Sequence, residues 1–119
     1  MSLTAMDLVA LAKQVIQEID PLAVKTNLAN YLILDVREPA EYSAGHLPNA
    51  VNIPRGVLEF KINNHANFQN KQADIVVYCQ SGGRAALATE ALQKLGYQKV
   101  VSMAGGFAAW QASGNSVVI

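Results

Sequence analysis

The chain has a single cysteine, Cys79, which ends the apolar run IVVYC at residues 75–79 and is followed at once by Gln80-Ser81-Gly82-Gly83-Arg84. A short β-branched apolar run reads as a strand buried on both faces of a parallel sheet. Beyond the glycines, Leu87, Ala88, Ala91, Leu92 and Leu95 form one stripe opposite Glu90, Gln93 and Lys94. That stripe predicts a helix over 83–95, with Gly96 supplying the left-handed residue that closes it. The thiol therefore stands between the C-terminal end of a strand and the N-terminal end of a helix. Ligands bind in that crevice of open α/β sheets, and a helix N-terminus brings unpaired amides and the positive end of a dipole to it. Gly82 and Gly83 allow the tightly curved or positive-φ backbone that converges successive N–H groups on one point. Such a nest, with the Arg84 guanidinium beside it, favours thiolate near neutral pH, as covalent catalysis by cysteine requires. A side chain at Gly83 is expected to crowd the nest, so Gly83→Val should impair the chemistry more than the folding. The plainer reading of Cys79 is a small, inert core thiol.

Two further charged residues follow a buried run. Asp35 and Arg37 come directly after residues 31–34 and are expected to emerge on the same rim as Cys79. In the functional reading Arg37 presents an anionic substrate while Asp35 orients it or the loop. In the structural reading the two form an ion pair that ties the rim together, one whose breakage is costly. Arg84 has the fork geometry to clasp the oxygens of a sulfonate or thiosulfate, or it lies against the protein.

These residues need a scaffold. Leu8, Leu11, Ala12, Val15, Ile16 and Ile19 recur at helical spacing and predict a helix over 5–18. Asp20-Pro21 then reads as the N-cap and first position of a short helix over 21–28. Residues 31–36 and 75–79 are the strongest strands, 50–53 and 99–102 shorter ones, and Ile19 a fifth candidate. Short helices are expected over 57–62 and 105–111, with Glu38, Glu41 and Tyr42 forming or capping another. Residues 63–72 read as the mobile loop. Strands alternating with helices predict an α/β sheet covered on both faces.

Composition narrows the function. At 119 residues and 51% apolar content the chain can bury one core without a staple, so one domain is expected over 1–119, with 1–18 an N-terminal helical accessory and 19–112 the core. Nine basic residues balance nine acidic ones with no basic patch, which argues against nucleic acid as a partner. The longest apolar runs fall far short of the roughly 20 residues of a membrane helix. One cysteine closes no internal disulfide, and His46 and His65 stand too far apart for zinc-ligand spacing; neither metal nor cofactor is expected. The start of the chain lacks the charged lead of a signal peptide, which points to the cytoplasm, with the periplasm as the alternative if a leader has been removed.

Three blocks, LDVREPAEYSAGHLPNAVNIP (34–54), CQSGGR (79–84) and MAGGFAAW (103–110), together resemble the rhodanese family, in that family's order and over about two-thirds of the chain. The resemblance implies a rhodanese-like three-layer α/β fold: a central, mainly parallel sheet of about five strands with helices on both faces. It also implies a persulfide formed on Cys79, with Gln80, Ser81, Gly82, Gly83 and Arg84 as the loop that holds it. In that family the histidine matching His46 belongs to the scaffold. Gly105, Gly106 and Trp110 read as residues that place and pack the last helix. Four residues between Cys79 and Arg84 match the sulfurtransferase loop, one fewer than in related phosphatases; a smaller amide ring suits one sulfur better than a phosphoryl group. The expected reaction takes a sulfane sulfur from a small-molecule donor such as thiosulfate and passes it to cyanide, a thiol or a protein acceptor. The alternatives are a small phosphatase, or a binding or redox-sensing module. A monomer or weak dimer is expected.

Overall fold

A computed structural model describes residues 2–119 of the chain. Five short strands, β1 (Glu18–Ile19), β2 (Leu32–Asp35), β3 (Val51–Asn52), β4 (Asp74–Tyr78) and β5 (Lys99–Met103), form one sheet. Its order is β1-β5-β4-β2-β3, and every neighbouring pair is parallel. Around it lie α1 (Ala5–Lys13), α2 (Pro21–Thr26), α3 (Pro39–Ala44), α4 (Leu58–Lys61), α5 (Gly83–Lys94) and α6 (Gly106–Ala112). The three-layer α/β architecture is the expected one.

The two central strands, β2 and β4, are buried on both faces, which is why their sequences are apolar without alternation. Alternate residues feed two separate cores. On one face Leu34, Val77, Cys79, Ile75 and Val100 pack with Ala85, Ala88 and Leu92 of α5 and with Leu58 of α4. On the other, Ile33, Val76, Tyr78 and Met103 pack with Val24 of α2 and with Phe107 and Trp110 of α6. The chain leaves β2 through α3 to β3 on one side and leaves β4 through α5 to β5 on the other. The carboxyl ends of β2 and β4, adjacent in the register Asp35 to Tyr78, therefore flank the point where the winding reverses.

Two expectations need correction. The first helix ends at Lys13, not near residue 18, because the backbone beyond it is taken by the sheet edge: the Ser102 N–H donates to the Gln17 carbonyl and the Ala104 N–H to that of Ile19. Of the predicted apolar stripe, Leu8, Leu11 and Val15 are exposed. The helix packs on α5 through Val9, Ala12 and Ala86. Residues 63–72 are tied down instead of forming an open loop. Phe68 is buried, its carbonyl accepts the Tyr97 hydroxyl at 2.7 Å, Gln69 Nε2 donates to the Asn63 and His65 carbonyls, and Lys71 Nζ donates to the Leu95 carbonyl. The polar composition of this stretch serves internal hydrogen bonds.

Candidate active site

Cys79 follows β4 directly and is 1% exposed. Its Sγ accepts the Gly82 N–H at 3.1 Å and the Ala85 N–H at 3.3 Å, the second donor coming from the first turn of α5. Gly82, the N-cap of α5, has φ +119°, a conformation that L side chains rarely adopt. This one residue turns the chain back over the sulfur. Gly83 plays a different part from that expected: it is the first residue of the helix, and a Cβ there would meet Val9 Cγ2 of α1 at 3.6 Å, an ordinary contact. A small side chain at Gly83 therefore points at α1 and away from the nest. Gly83 and Arg84, at the start of α5, have N–H groups with no intrahelical acceptor.

The loop is held from behind by the third sequence block. Phe107 N–H donates to the Cys79 carbonyl at 2.8 Å and Ala108 N–H to the Gln80 carbonyl at 3.1 Å. The first turn of α6 thus binds two carbonyls of the loop, leaving the opposite, N–H side of that backbone for the sulfur. Gly105 and Gly106 both have positive φ, +75° and +58°. The GG pair is what brings α6 against the loop at all.

Asp35 and Arg37 emerge at the carboxyl end of β2 and form a closed, buried pair, 0% and 2% exposed. Asp35 Oδ1 accepts the Arg37 N–H at 2.8 Å and Nε at 3.1 Å, while Oδ2 accepts Nη2 at 2.8 Å and the Tyr78 hydroxyl at 2.7 Å. Tyr78 Oη in turn accepts the Leu47 N–H at 3.1 Å. Arg37 also donates to the Gly45 carbonyl at 2.7 Å and, at 3.4 Å, to Oε1 of Gln80 in the loop, with its guanidinium 4.4 Å from the Phe107 ring centroid. Burial pulls Arg37 toward the neutral form, but the Asp35 carboxylate outweighs it and the net shift is upward. Burial, aided by the Asp35 charge, pushes the Tyr78 phenol well above its ordinary range. The cluster joins β2, the Gly45 turn, α6 and the loop.

Arg84 points elsewhere. Its Nη1 and Nη2 meet Oε1 and Oε2 of Glu41 on α3 at 2.7 and 3.1 Å. The Glu41 carboxylate also accepts the Glu38 N–H at 3.0 Å, closing the capping box of α3. The Arg84 pair pulls the Glu41 carboxyl down to about 2 against the effect of burial, with the Glu38 N–H helping. Glu41 was legible in the sequence only as a helix-capping residue; its partner is 43 positions away. Ser81 lies in the loop between Gln80 and Gly82, exposed. His46 lies outside this cluster. It stacks on the Tyr42 ring at 3.7 Å, with Nδ1 2.9 Å from the Tyr42 carbonyl and its backbone bridged to Val118.

A lone thiol thus lies at the switch point of a parallel sheet, with main-chain donors from the N-cap and the first turn of the following helix on its sulfur. The rhodanese-like domain family matches over residues 16–113, and the chain belongs to that family. It is 32% identical to a sulfurtransferase of Allochromatium vinosum over 106 residues, which span 87% of this chain and 95% of the relative. It is 39% identical to the chloroplastic thiosulfate sulfurtransferase 16 of Arabidopsis thaliana, over 73% of this chain and 79% of that protein. Among solved structures, a Rhodopseudomonas palustris protein of unknown function, described as a possible tyrosine phosphatase, superposes with TM-score 0.89 at 28% identity. That match covers 99% of this chain and 96% of the other.

Proposed function

We infer that the protein is a sulfurtransferase that carries a sulfane sulfur as a persulfide on Cys79. The observation that bears most weight is the pair of main-chain donors on Sγ, from Gly82 and Ala85. Hydrogen bonds from amides at a helix start favour a negative sulfur, and preorganised donors do so without reorganisation during the reaction. In the first half-reaction the Cys79 thiolate attacks the outer sulfur of a donor such as thiosulfate. An S–S bond forms to Cys79, the sulfur–sulfur bond of the donor breaks, and sulfite leaves with the bonding electron pair. In the second, an acceptor such as cyanide or a thiolate takes the terminal sulfur and the Cys79 thiolate returns. The N–H groups of Gly83 and Arg84 are available to the terminal sulfur of the persulfide. The relatives' sulfurtransferase names support this reading. No second cysteine exists in the chain to capture the persulfide as an internal disulfide, so discharge goes to an external acceptor, either a small molecule or a protein thiol.

The phosphatase description of the Rhodopseudomonas palustris protein raises the second reading. A transferring phosphoryl group needs donors spread over three oxygens, whereas the loop directs two main-chain donors, those of Gly82 and Ala85, at the single atom Sγ. The test is to incubate wild type and Cys79→Ser with thiosulfate and record intact mass, then add cyanide and measure thiocyanate. A gain of one sulfur in wild type alone, lost on cyanide addition, is expected. No gain from any of several sulfane donors, together with Cys79-dependent hydrolysis of an aryl phosphate, would sink the sulfur-transfer reading in favour of the phosphatase.

A further inference from the structure

We propose that Glu41 is a specificity-determining residue: by holding the fork of Arg84 it competes with anionic sulfur donors and handicaps a dianion more than a monoanion. This rests on the sulfur-transfer reading of Cys79. Arg84 is the second residue of α5, and the residues around it, the N-cap Gly82 and Ala85, both donate to Sγ, so its side chain springs from the turn that holds the sulfur. Its two terminal nitrogens grip both Glu41 oxygens, the same end-on face that would clasp two oxygens of a thiosulfate. Arg37, the other arginine of the site, is buried and already paired with Asp35. Arg84 is therefore the cation at the loop that can change partners, and it is 38% exposed with a carboxylate partner 34% exposed. An ion pair open to solvent is weak enough for a substrate anion to displace. Glu41 is a positioning residue in this scheme; it acts on the donor through Arg84.

Two donors separate charge from sulfur chemistry. Thiosulfate is a dianion with three oxygens that leaves as sulfite; methanethiosulfonate is a monoanion with two that leaves as methanesulfinate. Both deliver one sulfur to the Cys79 thiolate. Single-turnover loading followed by intact mass, over a range of donor concentration, gives a half-saturating concentration and a limiting rate for each. Glu41→Gln keeps an acceptor for the Glu38 N–H. In that variant the half-saturating thiosulfate concentration should fall roughly two- to fivefold, the shift expected from losing one exposed ion pair. The value for methanethiosulfonate should fall less, and the effect should lie on half-saturation more than on the limiting rate. Arg84→Gln should raise the thiosulfate value, and adding Glu41→Gln to it should change nothing further. Equal shifts for the two donors, or a gain from Glu41→Gln that persists without Arg84, would overturn the proposal while leaving sulfur transfer intact. Wild type that loads from neither donor would overturn the sulfur-transfer reading and this inference with it.

Discussion

Gly106 has its missing side chain where the carbonyl of Cys79 lies: a Cβ built there would stand 2.5 Å from the Cys79 oxygen and 2.7 Å from the carbonyl carbon and oxygen of Gln80. Those atoms are the backbone of the nucleophile loop, and Phe107 and Ala108 donate to the same two carbonyls. The approach of α6 to the loop, and with it the direction of the loop N–H groups, depends on this glycine.

Gly106→Ala should therefore damage both stability and sulfur loading. Positive φ disfavours alanine and the clash is with main chain that cannot swing aside, so a loss of roughly 2–4 kcal/mol is expected. Chemical denaturation checks the first effect and intact mass after thiosulfate the second. A variant as stable as wild type that still loads sulfur would show that α6 does not brace the loop.

The two glycines of the loop itself should behave oppositely. Gly82→Ala forces a side chain into φ +119° and should cost about 1–3 kcal/mol while slowing loading, since it displaces a donor to Sγ. Gly83→Ala places a methyl in contact with Val9 at the first position of α5, and should be neutral or stabilising by up to about 1 kcal/mol with loading retained. The comparison of their melting temperatures and loading rates is decisive, because the two substitutions add the same atoms one residue apart.

That contrast also marks where the sequence stopped being legible. The strand-loop-helix around Cys79 could be read because its signals are local: an apolar run, a glycine pair and a helical stripe. The two central strands followed from the apolar runs at 31–36 and 75–79, seen as Leu32–Asp35 and Asp74–Tyr78, while the count of about five strands came with the rhodanese resemblance; Asp20-Pro21 announced α2 through its cap, with the Ala23 N–H on Asp20 Oδ1 at 2.9 Å. Which glycine bends and which packs could not be read, since either one satisfies the pattern GG. The Arg84–Glu41 pair and the hold of α6 on the Cys79 carbonyl join segments 43 and 28 residues apart, through contacts that no periodicity encodes. The end of α1 was missed for a related reason. Helical spacing continued past Lys13, but the sheet edge claimed the backbone of residues 17–19.

Asp35 and Arg37 are expected to matter more for folding than for contact with a donor. Asp35→Ala leaves a buried guanidinium without its carboxylate and strips the Tyr78 hydroxyl of its acceptor. A loss of about 3–5 kcal/mol follows for breaking a buried pair from one side. Removing both charges, as Asp35→Asn with Arg37→Met, should recover part of it, and a double-mutant cycle from denaturation curves measures the coupling. Independent, additive losses would mean that the pair is not a unit.

The acid limb of the stability curve should carry the signature of Glu41. Its folded carboxyl is lowered from 4.5 to about 2, first by the Arg84 hydrogen bonds, against burial, and then by the Glu38 N–H and the charge of Arg84. A depressed carboxyl contributes stability that is complete above its unfolded value of 4.5 and is lost as pH falls through the window down to about 2. Because both partners are more than a third exposed, solvent screening limits the contribution to at most about 1 kcal/mol. Unfolding free energies measured between pH 6 and about 2 should thus fall less steeply for Glu41→Gln than for wild type, and the two curves should converge at the acid end, where wild-type Glu41 is itself protonating. Arg84→Gln should flatten the same limb. A Glu41→Gln curve that keeps the full wild-type slope would mean that the carboxylate draws nothing from Arg84 in solution, and that the guanidinium is already free to take a donor.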